Sequence, residues 1–362
     1  MNNSDEVEKE VNFFKSRLFR VNFKEVGYTL VAVLLGFLIG SLIVWMSGNS
    51  PLDLYRGIYN GAFSSSFAVG SWLSQSAPII LTSLAFLVVL KSGLYNIGAE
   101  GQLYVGAFAA AWAGFSLDLP PYIHLIVALL FGMGAGALWG FIPGILRAKR
   151  GANEFVTSLM LSEVAILLTS WFVSTGGPFK DPDQQASLTR PVASGARLPD
   201  ILGSRLSIGI LLAVLAAFFV LYLLLKTSWG YEMRTVGTNV KAAKYSGINV
   251  QKIMIFSFII GGALAGLAGA GVTLGNLTNN RFIGRFSPGY GWDGIAGALI
   301  GRGHPIGAVF ASLLLGMLRA GAMNLDQFTA IPRDITLIIE GLIAFFVIAP
   351  ALIEYIGKRL KE

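Results

Sequence analysis

Long apolar runs, separated by short polar segments, extend along almost the whole chain. A helix needs about 20 apolar residues to cross about 30 Å of hydrocarbon, and Gly, Pro and charge clusters mark the breaks between such helices. The pattern predicts ten crossings, at about 27–47, 73–90, 97–115, 122–146, 155–173, 206–225, 253–275, 290–301, 305–322 and 333–349. The eighth run is too short for a straight crossing, so we expect a half-helix or a segment buried among its neighbours.

The fold class that follows is an all-α integral membrane protein. Hydrophobic residues make up 54% of the 362 positions and charged residues only 13%, a balance that disfavours a soluble globule. We expect an N-terminal cytoplasmic segment over 1–26, a transmembrane domain over 27–349 and a cytoplasmic tail over 350–362. Apolar and basic residues from Phe13 to Lys24 predict an amphipathic helix on the membrane surface, with a solvated tail as the alternative.

Basic residues give the chain an orientation. The net charge is +7, but Lys and Arg gather beside the apolar runs, which indicates contact with lipid headgroups and not with nucleic acid. More than twice as many lie on the side that would hold both termini, so both termini are predicted to be cytoplasmic. Segment 174–205 is then an external loop, either a partner's contact surface or simply solvated, and the basic segment 226–252 is cytoplasmic.

Small residues recur at four-residue spacing inside several spans. Without side chains, such positions let helix backbones approach closely in lipid. They are Gly132, Gly136 and Gly140, then Gly262 and Gly266, then Gly297 and Gly301. This spacing predicts a tightly packed bundle and carries no information about a substrate.

A polar run opens the third apolar segment. Asn96, Glu100 and Gln102 stand at its start, and polar groups at membrane depth are costly unless they are paired or line a wet cavity. One interpretation is that they line a pathway. The other is that they hydrogen-bond neighbouring helices and fix their packing.

The cytoplasmic segment contains a short helical pattern. It is predicted to be capped near Thr238 or Asn239 and to end at Gly247. Basic residues on one side, with Ala and Tyr on the other, suit a helix that docks in a groove of a cytosolic partner. A helix resting on anionic headgroups is the alternative.

At these residues the chain resembles the permeases of bacterial ATP-binding-cassette importers, in the superfamily that serves ribose-type sugars and branched-chain amino acids, and most of all its nucleoside branch. The similar segments are Asn96 to Gln102, Gly151 to Glu154, Gly237 to Gly247 and Gly261 to Gly271. The resemblance implies a type II-like permease fold with a cytoplasmic coupling helix at about 238–247, in the bacterial cytoplasmic membrane. It also implies three partners: a cytosolic ATPase, a second permease subunit that is often non-identical, and an extracellular solute-binding lipoprotein.

Under this resemblance two sets of residues carry function. The residues expected to couple to the ATPase are Gly237, Asn239, Ala242, Ala243, Tyr245 and Gly247. A nucleoside pathway needs aromatic faces beside amides and hydroxyls, and its candidates are Asn96, Glu100, Gln102, Phe108, Trp112, Asn153, Glu154, Tyr290 and Trp292. Phe108 and Trp112 share a helix face, where lipid contact or core packing is the alternative role.

The chain is not expected to be an enzyme or to hold a cofactor. A P-loop needs Gly-Lys followed by Ser or Thr, whereas Gly357 and Lys358 precede Arg359. ATP and Mg²⁺ would therefore be bound by the partner ATPase. His124 and His304 are predicted to be interfacial side chains and not metal ligands, and Arg319 is predicted to pair with Glu340 inside the membrane.

Several alternatives stay open at this point. The cargo could be a sugar or a flavin instead of a nucleoside. An ion-coupled secondary transporter could use Asp293 beside the short eighth segment. A membrane-embedded enzyme is disfavoured, because Glu100, Glu163, Asp293 and Glu340 lack the spacing of a convergent catalytic set.

Overall fold

The computed structural model describes residues 23–201, 206–328 and 334–359. The prediction of an amphipathic helix from Phe13 onward falls almost wholly outside these ranges. Thirteen α-helices lie within them: α1 (Phe23–Met46), α2 (Pro51–Phe63), α3 (Ser66–Leu90), α4 (Ala99–Ser116), α5 (Ile123–Arg150), α6 (Glu154–Phe172), α7 (Gly209–Lys226), α8 (Ser228–Thr238), α9 (Val240–Tyr245), α10 (Val250–Leu274), α11 (Tyr290–Ile300), α12 (Pro305–Phe328) and α13 (Asp334–Arg359).

Six of the described helices are long and apolar enough to cross a membrane. They are α3, α5, α6, α7, α10 and α12, the last counted over Pro305–Leu325. This finding confirms the all-helical, multi-pass character of the chain. The count of ten crossings stays a prediction, since the helices at the other four predicted positions, α1, α4, α11 and α13, are not among these six.

Glycine pairs hold the centre of the bundle together, as their spacing predicts. A close contact joins α5 to α10, where a Cβ on Gly136 would overlap the carbonyl oxygen of Gly262 and come within 2.7 Å of the Gly266 Cα. Gly266 in turn fits against Gly132 and Gly106. These backbones therefore approach one another where any side chain would force them apart.

The eighth predicted span is a half-helix. Helix α11 runs for 11 residues from Tyr290 to Ile300, which is about 16 Å of helix and half of the hydrocarbon thickness. Its first turn packs against the first turn of α4, and a Cβ on Gly291 would overlap the Glu100 backbone. Two helix N-termini therefore meet inside the bundle.

Helices α2 and α8 lie outside the predicted spans and outside the predicted short helix. Helix α2 starts with a proline at its first turn and turns Leu54, Ile58 and Ala62 inward against α12. Helix α8 begins after the N-cap Thr227, whose hydroxyl accepts a hydrogen bond from the Gly230 N–H at 3.1 Å. Both are amphipathic and less apolar on average than the six candidate spans, so a search for long apolar runs does not find them.

Segment 174–201 is ordered against the end of the bundle opposite to α8 and α9. Its backbone bonds to the connection after α10, through Thr189 N–H to the Phe282 carbonyl and Val192 N–H to the Asn280 carbonyl, both at 2.9 Å. Asp181 forms an ion pair with Arg281 at 2.8 Å. The segment is therefore a structured cover on the bundle, not a freely solvated loop.

Candidate functional site

Asn96 and Gln102 form a reciprocal amide pair. The Asn96 Nδ2 donates to Gln102 Oε1 at 2.9 Å, and the Gln102 Nε2 donates to Asn96 Oδ1 at 3.1 Å. Both side chains are completely buried. Asn96 Oδ1 also accepts the Gly98 N–H at 3.2 Å. Because their polar atoms are satisfied within the protein, this geometry favours the packing interpretation for these two residues.

Glu100 caps the half-helix. Its carboxylate accepts a hydrogen bond from the Gly291 N–H at 2.5 Å, and its side chain is buried. A carboxylate is favourable beside the positive end of a helix dipole, where the first N–H groups have no partner within the helix. The structure thus gives Glu100 a definite partner and joins α4 to α11.

Arg319 pairs with Asp293 and not with Glu340. The guanidinium contacts the Asp293 carboxylate and donates to the Pro288 carbonyl at 3.1 Å. The prediction of an Arg319–Glu340 ion pair is therefore wrong, because the half-helix brings Asp293 to the depth of Arg319. Glu340 is buried, and its Oε1 has no hydrogen-bond partner among the described residues. Asp293, the candidate ion ligand of a secondary transporter, already forms an ion pair with Arg319.

Tyr290 and Trp292 take different positions at the start of α11. Tyr290 is buried; its hydroxyl donates to Gln75 Oε1 at 2.5 Å, and its carbonyl accepts from the Thr82 hydroxyl at 2.8 Å. Trp292 is 48% exposed. The structure therefore gives Tyr290 a packing role and leaves Trp292 half-exposed.

Phe108 and Trp112 are in different surroundings although both lie on α4. Phe108 packs in an aromatic cluster with Phe172 and Phe282, with ring centroids at 4.7 and 5.5 Å. Trp112 contacts Phe131 of α5 at 5.7 Å. Both side chains are partly buried against the core. These contacts match the packing alternative for the pair.

Asn153 and Glu154 form the turn between α5 and α6. The Asn153 side chain is the N-cap of α6 and accepts the Phe155 N–H at 2.9 Å. Glu154 forms an ion pair with Arg147 at 3.2 Å. Asn153 therefore caps the start of α6, and Glu154 in the first turn is paired with Arg147.

A cavity among the described residues lies between α3, α7 and α10. Its walls include Ser74, Pro78, Ser207, Ala268 and Gly271. None of the predicted pathway residues lines it. The pathway candidates are thus spread over several packed contacts among the described residues.

The short helix of the 226–252 segment forms where the sequence predicts it. Asn239 is the N-cap of α9, accepting the N–H groups of Lys241 and Ala242 at 3.0 and 3.1 Å. After the helix, Gly247 has φ +80°, a conformation that favours glycine. Tyr245 is 94% exposed, whereas Ala243 is fully buried.

This burial corrects the predicted face of the helix. Ala243 packs into the protein's own core and cannot contact a partner. Ala242 and Tyr245 are exposed, and so are Lys241 and Lys244. We call the exposed residues Val240, Lys241, Ala242, Lys244 and Tyr245 the α9 outer face.

Gly237 connects this region to the membrane helices. A Cβ there would overlap the Lys91 carbonyl oxygen and lie 2.9 Å from the Gly93 nitrogen. Burial lowers the pKa of Lys91, and the neighbouring Arg234 lowers it further. Burial and Lys91 likewise lower the pKa of His304, so this imidazole is neutral at pH 7. Because of the contact of Gly237 with Lys91 and Gly93, the end of α8 packs closely on the loop that leads into α4.

His124 lies in the first turn of α5. It is buried, and its Nε2 lies 3.0 Å from the Ala113 carbonyl. Its side chain therefore packs against α4, and its position at the membrane interface stays a prediction. Among the described residues no group of three His, Cys, Asp or Glu side chains is arranged to hold a metal ion.

Sequence reasoning also missed the partner of Arg319. Asp293 is the acidic residue in the first turn of a short helix with small residues around it. A carboxylate within a membrane segment is expected to seek a cation, so the pairing could have been considered from the sequence. The register of α11 against α12, which places Asp293 beside Arg319, could not be predicted from the sequence.

The fold and these contacts define a multi-pass helical membrane protein with a surface helix packed onto its transmembrane core. The chain belongs to the family of branched-chain amino acid transport system permease components, whose model matches residues 68–348.

Curated relatives resemble the chain over nearly its whole length. The guanosine ABC transporter permease protein NupP of Bacillus subtilis is 39% identical over 92% of this chain and 96% of its own. The nucleoside ABC transporter permease protein NupB of Lactococcus lactis is 32% identical over 93% and 94%. The glucose ABC transporter permease protein TsgB13 of Haloferax volcanii is also 32% identical, over 89% and 87%.

Proposed function

We propose that this chain is the membrane-spanning permease subunit of an ATP-driven importer of nucleosides. The observation that carries the proposal is the similarity, over nearly the full length, to permeases named for guanosine and for nucleosides. The fold agrees with it, since a pathway through lipid requires a bundle of apolar helices. The subunit itself is non-catalytic, and the partner ATPase binds ATP and Mg²⁺.

The α9 outer face is the docking surface for that ATPase. Tyr245 projects almost fully into solvent on a helix that its N-cap Asn239 holds in place. A protruding aromatic side chain with lysines around it suits insertion into a groove of a cytosolic partner. The close contact of Gly237 with Lys91 and Gly93 would pass movement of α9 to the start of α4.

The complete importer contains further subunits. A second, homologous permease forms the pathway together with this chain, and an extracellular solute-binding lipoprotein delivers the substrate. Both termini lie in the cytoplasm. Segment 174–201, held in place by backbone hydrogen bonds and the Asp181–Arg281 pair, supplies an ordered surface for the lipoprotein.

A sugar is the second candidate for the cargo. The relative from Haloferax volcanii is named for glucose and is as similar to this chain as the nucleoside permease of Lactococcus lactis. A nucleoside contains a sugar ring, so a pathway that accepts ribose hydroxyls needs few changes to accept another sugar. The two relatives named for nucleosides favour the nucleoside.

Uptake of radiolabelled guanosine by cells that express the complete transporter tests the proposal. With Tyr245→Ala, uptake is expected to fall by about tenfold, because a central aromatic contact with a partner is lost. The membrane level of the transporter, measured by immunoblot, should not change. Tyr222→Ala is the matched control, since Tyr222 is 62% exposed on the apolar helix α7.

Competition completes this experiment. Unlabelled nucleosides should abolish uptake of guanosine, and glucose should not. Equal uptake by the Tyr245→Ala and Tyr222→Ala transporters would contradict the docking role of α9. Uptake of radiolabelled glucose by the same cells, with no uptake of guanosine, would identify a sugar permease.

A further inference from the structure

Glu163 occupies the centre of a membrane-spanning helix. Helix α6 extends over 19 residues, from Glu154 to Phe172, which gives it a length of about 28 Å, close to the thickness of the hydrocarbon layer. Nine residues separate Glu163 from each end. If α6 crosses the bilayer, this carboxyl group lies near the midplane.

The side chain of Glu163 points away from the bundle. Helix α6 buries a stripe that includes Ser158, Ser162 and Ala165, and Glu163 lies on the other side, where it is exposed. Its neighbours one helical turn away are Met160, 65% exposed, and Leu167, 56% exposed. Glu163 makes no hydrogen bond or ion pair with another residue of the described part of the chain.

Other acidic and basic groups deep in the described helices are arranged differently. Glu100, Asp293 and Glu340 are buried, and the Arg319 side chain is 11% exposed. Glu163 therefore stands apart as an exposed, mid-helix carboxyl group. A charged group facing hydrocarbon is costly, and such groups normally face the bundle interior or a water-filled cavity. Lipid is thus a poor neighbour for this face of α6.

We propose that the face of α6 around Glu163 lines the water-filled substrate pathway, which the second permease subunit closes from the opposite side. The Glu163 carboxylate accepts hydrogen bonds from hydroxyl or N–H groups of the passing solute. Its ligand is a neutral, hydroxyl-rich solute, since a carboxylate accepts two neighbouring hydroxyls well and repels anions. This inference rests on the proposed function and adds a residue that contacts the substrate.

The absence of cysteine from the chain makes a direct test possible. Glu163→Cys is introduced into the complete transporter and treated with a hydrophilic methanethiosulfonate reagent, which reacts only with thiols in water. Leu138→Cys is the matched control, because Leu138 is 71% exposed near the middle of α5, where the residues one helical turn away, Gly134, Ala135, Phe141 and Ile142, are uncharged and apolar. The rate of labelling is measured with and without guanosine.

The inference predicts labelling of Glu163→Cys at least about tenfold faster than that of Leu138→Cys, with guanosine slowing the reaction. It also predicts that Glu163→Leu raises the KM for guanosine uptake by about tenfold or more, whereas Glu163→Gln, which keeps a hydrogen-bond acceptor, has a smaller effect. Equal labelling at the two positions, or an unchanged KM in Glu163→Leu, would overturn the inference.

The unmodified transporter separates this failure from failure of the proposed function. If it imports guanosine with ATP while both Glu163 results are negative, only the pathway assignment is wrong. If it imports no nucleoside at all, the proposed cargo is wrong. Labelling of Glu163→Cys then reports whether this face of α6 is in contact with water.

Discussion

Two buried charged groups in this bundle, Glu100 and Arg319, each depend on a particular neighbouring group. Glu100 accepts the Gly291 N–H at the start of α11, and Arg319 contacts Asp293. The sequence reveals that such groups lie at membrane depth and require partners. It does not reveal which partner is in reach, because that depends on the register of the half-helix. For this reason the sequence predicts Glu340, on the neighbouring long span, as the partner of Arg319 instead of Asp293.

Substitutions distinguish these two pairings. Asp293→Asn removes the carboxylate from the buried Arg319 and is expected to destabilise the protein by about 3 kcal/mol, the usual result of breaking a buried ion pair. Glu340→Gln should cost at least about 2 kcal/mol less, because Arg319 keeps its partner. Thermal unfolding of the purified transporter in detergent measures both. A larger loss of stability for Glu340→Gln than for Asp293→Asn would contradict the Arg319–Asp293 pair and support the Arg319–Glu340 pair that the sequence predicts.

Helix boundaries could be predicted wherever the sequence contains a local signal. The N-cap Asn239, the turn at Gly247 and the short apolar run of α11 were all visible in the sequence. Helices α2 and α8 were missed because their amphipathic patterns lack long apolar runs. The inward direction of Ala243 was also missed, since six residues contain too little periodicity to identify the buried side.

The close packing of α5 on α10 predicts how glycine substitutions in α5 change the stability of the protein. Gly136→Ala places a methyl group against the Gly262 carbonyl and is expected to destabilise the protein by about 1–3 kcal/mol. Gly134→Ala is the matched control, because nothing lies within 4 Å of a Cβ there. It should be neutral or slightly stabilising, since alanine favours the helix. Unfolding temperatures in detergent give the comparison, and equal values would contradict the close-packing interpretation.

In the whole molecule, contacts run continuously from a surface helix to the membrane interior. Helix α9 follows α8, whose end fits against Lys91 and Gly93, and the next residues of that loop lead to the Asn96–Gln102 pair. Glu100 then connects α4 to α11. Sequence alone predicted the polar run and the surface helix separately. Their connection through Gly237 required the tertiary structure.

Transport by reconstituted proteoliposomes tests the central claim most directly. Liposomes would contain either this chain alone, or this chain with the second permease, the ATPase and the binding lipoprotein. The account predicts uphill accumulation of guanosine only in the complete assembly with ATP, and no effect of an ionophore while ATP is present. Uphill accumulation by this chain alone, driven by an ion gradient and abolished by the ionophore, would contradict it.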